Sequence, residues 1–379
     1  MRIGIDVRYL SHGLVGGVHR YIAQMVPALL EAGPEHQFFL YADKKAPLEL
    51  ENLPAHATVR LLDYRNGLSS IYNDLFMKRT MAQDKLDLVH FPANYGFGPA
   101  GARVIITLHD QINIMPLREI IRGHRKSVKT IGMMSYLHFS SVAALRFATL
   151  LLTVSGYSRD RILEHAAFPA DRVIAQFYGP SPKVRPITDS TVLQAVRDRL
   201  SLQKPFVLAD GVKNPATLTK AWGLLPPALR DTHQMVFFSR RPDPPAEVLA
   251  AVERGQAVLL VRPSDDDLVA LFNLARAFVF PSWIEGFGIP LVEAMTCGTP
   301  IIASDRGSIP EVVGDAALIA DAEDAPAFAR HIEQVLTNPQ AAADLRQRGL
   351  ERAVIFRWDH TARQMLDIYQ RALALPPVR

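Results

Sequence analysis

The sequence predicts an α/β protein built as two doubly wound domains, and three observations carry that expectation. At 379 residues the chain is longer than one hydrophobic core ordinarily fills. Short apolar runs alternate with amphipathic stretches up to about residue 180, and a second alternating series begins after residue 190. Between the two lies GPSPKVRPITDS, residues 179–190, whose prolines and polar residues suit a linker. The expected division is therefore a first Rossmann-like domain over 1–185 and a second over 186–361.

The elements follow in order. RIGIDV is a short buried strand, and GVHRYIAQMVPALLEAG an amphipathic helix closed by Gly33. HQFFLYA, ATVRLL, DLVHF and RVIITLHD read as strands, and FATLLLTVS as another buried one. SRDRILEHAAF reads as a helix capped by Ser158, and RVIAQFY ends the first half near Gly179. After the linker come KPFVLAD, a helix through PATLTKAWGLL, HQMVFFS, a helix near PAEVLAAVER, and AVLLVRP. DDDLVALFNLA is a helix whose acids suit its positive end; AFVFPS and TPIIAS are strands. A polar, alanine-rich helical tail is expected from about Ala325 to Leu375. Alternation of this kind implies open parallel sheets with helices on both faces.

Composition narrows the function classes. The hydrophobic fraction of 49% and charged fraction of 21% are those of a globular protein, and a net charge of +4 is too small to argue for nucleic acid. Cys297 is the sole cysteine, which excludes an intramolecular disulfide and a cysteine metal cluster. MRIGIDVRYL enters a strand pattern with no signal peptide, and no run of 18 apolar residues occurs, so a cytoplasmic protein is expected.

The stretch EGFGIPLVE places Glu285 and Glu293 eight residues apart around Gly286, Gly288 and Pro290. Those three residues exclude one continuous helix. The expected form is a glycine loop carrying Glu285, then a short helix with Pro290 and Glu293 in its first turn, closed by Gly298. Both acids then sit at the mouth of a sheet, where open α/β folds bind ligands. Glu293 is suited to accept hydrogen bonds from two vicinal hydroxyls, or simply to complement a helix dipole.

Other candidates surround it. His109 and Asp110 end a strand at the same kind of edge. Gly13, Gly16 and Gly17 open a helix after the first strand and suit either an anion or a tight turn; they do not form G-x-G-x-x-G. His12, His19 and the remaining histidines have no metal-ligand spacing, so no metal is expected. Residues 117–139 set Arg118, Arg122, Arg125, Lys126 and Lys129 beside Ile120, Ile121, Val128, Ile131, Met133 and Met134. That pattern suits either a solvated helix face or contact with an anionic membrane.

At PSWIEGFGIPLVEAMTCGTPIIASDRGSIPEVVGDAALI the sequence resembles the retaining nucleotide-sugar glycosyltransferases of family 4, which have the two-domain GT-B fold. The resemblance extends to GIDVRYLSHGLVGGVHRYI, TLHDQINIMP, LTVSGYSRDRILEHAAFPADRVIAQFYGP, VKNPATLTKAW and FRWDHTARQMLDIYQRAL. It implies that a terminal helix, about 362–379, returns to the first, acceptor-side domain, across a cleft from the nucleotide-sugar domain. It also implies roles: Glu293 on the ribose diol, Glu285 beside the transferred sugar, and Lys213 on the leaving diphosphate. Asn214, Gly286, Phe287, Gly288, Ile289, Gly16 and Gly17 are implied in donor binding, and His109 near the transferred sugar. Asp43 resembles a ribose-binding acid only faintly.

The chain departs from the family at Ala209, Asp210, Gly211 and Val212, where an arginine commonly precedes the lysine; Arg240 and Arg241 are candidates to replace it. The implied activity is retaining, metal-independent hexosyl transfer from a nucleoside-diphosphate sugar, GDP-mannose first and dTDP-rhamnose second. The implied acceptor is a saccharide, carried on a polyisoprenyl diphosphate in many relatives, in bacterial surface polysaccharide (lipopolysaccharide) biosynthesis. A catalytically weak nucleotide-sugar scaffold, a sugar-nucleotide 2-epimerase and a dinucleotide oxidoreductase are the competing readings.

Overall fold

The computed structural model describes residues 1–11, 16–50, 52–122 and 127–376. Gly13 and His12, and Arg125 and Lys126 of the basic segment, lie outside them. The chain divides into two units: Met1–Tyr178 with Arg357–Arg379, and Gly179–Phe356. The boundary thus falls at Tyr178 rather than 185, and the return at Arg357 rather than about 362.

In the first unit the strands are β1 (Arg2–Asp6), β2 (Gln37–Asp43), β3 (Ala57–Leu62), β4 (Leu88–Phe91), β5 (Arg103–Leu108), β6 (Leu150–Thr153) and β7 (Val173–Ala175). They form one parallel sheet in the order β3-β2-β1-β4-β5-β6-β7, with Ile5 facing Leu40 and Ile105 facing Leu150 in register. The helices are α1 (Gly17–Ala32), α2 (Gly67–Gln83), α3 (Leu117–Arg122), α4 (Val128–Leu145) and α5 (Gly156–His165). The strands are apolar nearly throughout because helices cover both faces of the sheet. Ile3, Ile5, Val89, Ile105, Ile106 and Leu151 are fully buried.

Helix α5 shows why a cap needs its position and not only its type. Ser155, in extended conformation, accepts a hydrogen bond from the Ser158 backbone N–H. Ser155 is therefore the N-cap, and the expected cap Ser158 is its third helical residue.

The second unit holds α6 (Ser190–Arg199), β8 (Phe206–Asp210), α7 (Pro215–Leu224), α8 (Pro227–Thr232), β9 (Gln234–Ser239), α9 (Ala246–Glu253) and β10 (Ala257–Val261). It continues with α10 (Asp265–Leu274), β11 (Ala277–Phe280), α11 (Ile289–Cys297), β12 (Ile301–Ser304), α12 (Ile309–Val313), β13 (Ala317–Ala320), α13 (Ala325–Thr337) and α14 (Pro339–Ala353). The sheet is parallel in the order β10-β9-β8-β11-β12-β13. The three leading acids of α10 do sit at its start, where Ser264 and Asp267 form a capping box.

The helical tail expected from Ala325 consists of three helices. Asn338 ends α13 and its side chain caps α14 by accepting from the Gln340 and Ala341 N–H groups. The last, α15 (Trp358–Ala374), belongs to the first unit and packs on α1. Tyr369 reaches His90 Nδ1 at 2.7 Å, and the Gln176 amide donates to the Thr361 carbonyl at 2.9 Å. Around the two points where the chain leaves and re-enters this unit, Tyr21, Tyr178 and Trp358 pack ring against ring, with centroids 5.1–5.5 Å apart. Contacts of that geometry contribute about 0.5–1.5 kcal/mol each beyond their buried area.

Candidate active site

The order of the second sheet reverses between β8 and β11, and at such a switch point the carboxyl ends of neighbouring strands open a crevice. Asp210 ends β8 and is followed by Lys213; Glu285 follows β11 after four residues, Pro281 to Ile284. Lys213 Nζ lies 2.7 Å from Glu285 Oε1, and Ser282 Oγ donates to that same oxygen at 2.7 Å. The Glu285 side chain is only 12% exposed, so the pair sits in a poorly solvated place where it is stronger than on a surface.

Helix α11 starts at Ile289, with Gly288 as N-cap at φ +92° and Gly298 as C-cap at φ +73°. Both conformations favour glycine, and Pro290 occupies the first turn, as expected. Glu293 is the fifth residue of the helix and so lies in the second turn, not the first. Its charge is accordingly less favoured by the helix dipole, which falls off within a turn. It stays buried beside Arg240, whose Nη2 lies 3.7 Å from Glu293 Oε2. Arg241 turns away: its guanidinium meets Asp243 at 3.4 Å on the exposed surface.

The backbone frame is held by Ser308 and Gly307, which sequence reasoning did not single out, and by Asn214, which it did. Ser308 donates from its N–H and its Oγ to the Glu285 carbonyl, 3.1 Å each, and from Oγ to the Phe287 carbonyl at 3.0 Å. Beside it, Gly307 at φ +62° passes so close that a Cβ there would lie 2.5 Å from the Glu285 carbonyl oxygen. The Asn214 side-chain amide donates to Thr217 Oγ1 and to the carbonyls of Pro281 and Ala322, at 2.9–3.0 Å. Asn214 therefore ties the ends of β8, β11 and β13 together and fixes where Lys213 starts. Phe287 is buried against Phe356, ring centroids 5.9 Å apart. Trp283 and Ile284, about half exposed, form an apolar lip on the Glu285 loop. Asp210 is buried; desolvation raises its carboxyl pKa, and Lys213 and Arg240 only partly oppose that.

In the first unit, His109 follows β5. Its Nε2 lies 2.8 Å from the Pro92 carbonyl, which can only accept, so Nε2 carries the proton and Nδ1 keeps its lone pair. The Asn94 side chain accepts from the His109 N–H at 2.9 Å and Tyr21 abuts the ring edge-on at 4.9 Å. Desolvation lowers the imidazole pKa to about 4 against the favourable Pro92 bond, so the ring is neutral at physiological pH. Asp110 accepts from the Ile112 N–H at 2.8 Å, and desolvation raises its pKa.

Gly16 is the N-cap of α1 and Gly17 its first residue; among the described residues, a Cβ on either would meet nothing within 4 Å. Asp43 is buried and occupied by Ser11 Oγ and the Lys45 N–H, both at 3.1 Å. Among the described residues no three His, Cys, Asp or Glu side chains group as metal ligands, and no helix is long and apolar enough to cross a membrane.

Residues 15–175 match the family described as Glycosyltransferase Family 4, and residues 210–352 the one described as Glycosyl transferases group 1. O-antigen chain mannosyltransferase B of Escherichia coli is 32% identical over 296 residues, 76% of this chain and 75% of that protein. The serotype-specific mannosyltransferase WbdA of Escherichia coli is 26% identical over 416 residues, covering 98% of this chain and 48% of WbdA, so the chain spans about half its length. Anabaena HepE, solved in complex with UDP-glucose, superimposes with a TM-score of 0.72 at 16% identity, over 98% of this chain and 100% of HepE.

Proposed function

Because the chain belongs to glycosyltransferase family 4, we propose that it moves mannose, with retention of configuration, from GDP-mannose to a saccharide acceptor during assembly of a surface polysaccharide. It is a hexosyltransferase with the GT-B fold. The observation that carries the finer reading is the doubled acid–base arrangement at one switch point, Lys213 with Glu285 and Arg240 with Glu293. The mannosyl donor is supported by the names of the two Escherichia coli relatives, and a nucleotide-sugar donor also by the ligand of HepE.

In this reading Glu293 accepts from both ribose hydroxyls, one of which a deoxyribose donor lacks. The diphosphate lies toward Lys213, Arg240 and the N–H groups that open α11. As the glycosidic bond to phosphate breaks, negative charge grows on the leaving oxygen and positive charge on the sugar ring. Lys213 and the N–H groups meet the first, without a metal; Glu285, held by Ser282, offsets the second and positions the ring hydroxyls. With Glu285 committed to that position, attack comes from the acceptor hydroxyl on the face the phosphate leaves, and the hydroxyl proton passes to the departing phosphate oxygen. His109, neutral and with Nδ1 open as an acceptor, is assigned to a sugar hydroxyl.

The acceptor is proposed to be lipid-linked and the protein peripheral on an anionic membrane, through α3 and α4. Support comes from Val128, Met133 and Phe139, which are exposed, and from Arg118 on the same segment.

The test is calorimetric titration with GDP, UDP, dTDP and ADP, first without metal and then with magnesium. Transfer from the preferred sugar nucleotide follows, with the product's anomeric configuration read by NMR. GDP preference, indifference to magnesium and an α product from GDP-mannose are expected. Absence of nucleotide binding, or a β product, overturns the reading.

A further inference from the structure

A cavity of about 470 Å³ opens at the opposite end of the second sheet from Glu285, where Arg276 precedes β11 and Pro300 precedes β12. Its volume falls in the range of small-molecule sites, roughly 300–1,000 Å³. Three of its lining residues are basic, Arg276, Arg346 and His233, and none is acidic. Among the described residues, neither arginine has a carboxylate within ion-pair distance, whereas Arg199, Arg306, Arg357 and Arg363 of the same chain each have one. Arg276 is exposed, and Arg346 spends one N–H on the Gly298 carbonyl, 2.9 Å away.

Helix ends alone do not account for two unpaired guanidinium groups. The carboxyl ends of α8, α10, α11 and α13 and the amino end of α14 meet at this rim. At about half a charge per helix end, four negative and one positive sum to roughly −1.5. The two guanidinium groups then leave about half a positive charge unanswered in a recess with no acid. The remaining wall, which includes Leu274, Pro300, Val335 and Leu336, is apolar.

We propose that this cavity is a second ligand site, separate from the glycosyl-transfer centre, that takes a phosphoester. The phosphate lies between Arg276 and Arg346 with His233 at the rim, and the body of the ligand covers the apolar wall. The planar, multi-donor guanidinium groups suit a phosphate's tetrahedral oxygens.

Equilibrium dialysis with radiolabelled inorganic phosphate tests it on the native protein and on Arg276→Glu, Arg346→Gln and Lys213→Ala. Phosphate bound by the native protein and by Lys213→Ala, and at least ten-fold weaker binding by Arg276→Glu and Arg346→Gln, is the expected result. Arg276→Glu, at an exposed position, keeps the fold and stays within two-fold of native turnover measured without phosphate. A competition arm with mannose 6-phosphate and with phosphatidylglycerol vesicles then separates a soluble phosphoester from a lipid headgroup by which of them displaces the label. Phosphate binding that Arg276→Glu leaves unchanged, or that only Lys213→Ala removes, overturns the proposal and leaves the transferase reading untouched.

Discussion

Replacing Gly307 by alanine tests how tightly the Glu285 loop must be held. A methyl carbon at this position would sit 2.5 Å from the Glu285 carbonyl oxygen and 2.7 Å from its nitrogen, both backbone atoms that no rotamer change can move. Ordinary carbon–oxygen contact begins near about 3.4 Å, so the loop must retreat by roughly 1 Å. The φ of +62° adds the left-handed penalty of about 1–2 kcal/mol, and the overpacking about 1–3 kcal/mol more. A 1 Å retreat lengthens the 2.7 Å Lys213–Glu285 contact past hydrogen-bond reach. Misplacement on that scale lowers turnover by about 100-fold.

Urea denaturation read by circular dichroism gives the stability loss, expected at about 2–5 kcal/mol, and initial-rate transfer assays give the turnover of the folded variant. Gly255→Ala is the control: its φ is +66°, but a Cβ there meets nothing within 4 Å, so it carries the backbone strain without the collision. It should lose about 1–2 kcal/mol and no activity. A folded Gly307→Ala enzyme with native turnover would refute the claim that this glycine sets the position of Glu285.

Glu293→Ala should weaken nucleotide binding by about 1–3 kcal/mol while Lys213→Ala lowers turnover more than affinity, because one contact exists in the bound state and the other strengthens as phosphate leaves; isothermal titration and steady-state kinetics on the same preparations separate them. Arg240→Ala should weaken nucleotide binding at least five-fold, about 1 kcal/mol, and Arg241→Ala should leave it unchanged, since only the first guanidinium faces Glu293; equal effects would mean the site uses neither. Burial lowers His109 from the ordinary 6.5 to about 4 and His90 to about 3, so the unfolded chain takes up their protons first as pH falls. Stability from these two groups is therefore complete above pH 6.5 and declines below it, by up to about 1.4 kcal/mol per pH unit for each histidine, until the folded values are reached. Thermal melts from pH 7.5 to 4.5 check this, and His90→Gln should flatten the slope; turnover should show no step near pH 6.5 from His109.

Much of this was legible in the order of residues, for reasons particular to each. Fully buried parallel strands such as Phe206–Asp210 and Ala277–Phe280 announce themselves as apolar runs between turns. Ala317–Ala320 did not, because it is a half-covered edge strand of four residues, half of them alanine, with no alternation to detect. The Glu285–Glu293 frame was readable because glycine and proline between the acids restrict the backbone. Choosing between Arg240 and Arg241 was not, since adjacent residues leaving a strand point to opposite sides and only the fold says which side holds Glu293. Gly307, Ser282, Ser308 and Asp210 look like ordinary turn residues until strands far apart in sequence are brought together. The same limit explains Ser155 and Ser158: two serines three apart fit one cap equally well until the backbone of Ser155 is seen to be extended.

The return of the chain to the first unit has a consequence for how the protein is made. Helix α15, which covers α1 and bonds His90 through Tyr369, is synthesised only after all of Gly179–Phe356. At roughly 5–20 residues per second, the 201 residues after Tyr178 (379 − 178) take about 10–40 seconds to appear. The inserted unit, contiguous in sequence, can complete its own sheet during that interval. The first-made of the two units waits with the α1 face that α15 will cover still open to solvent, so of these two units the one translated first is finished last.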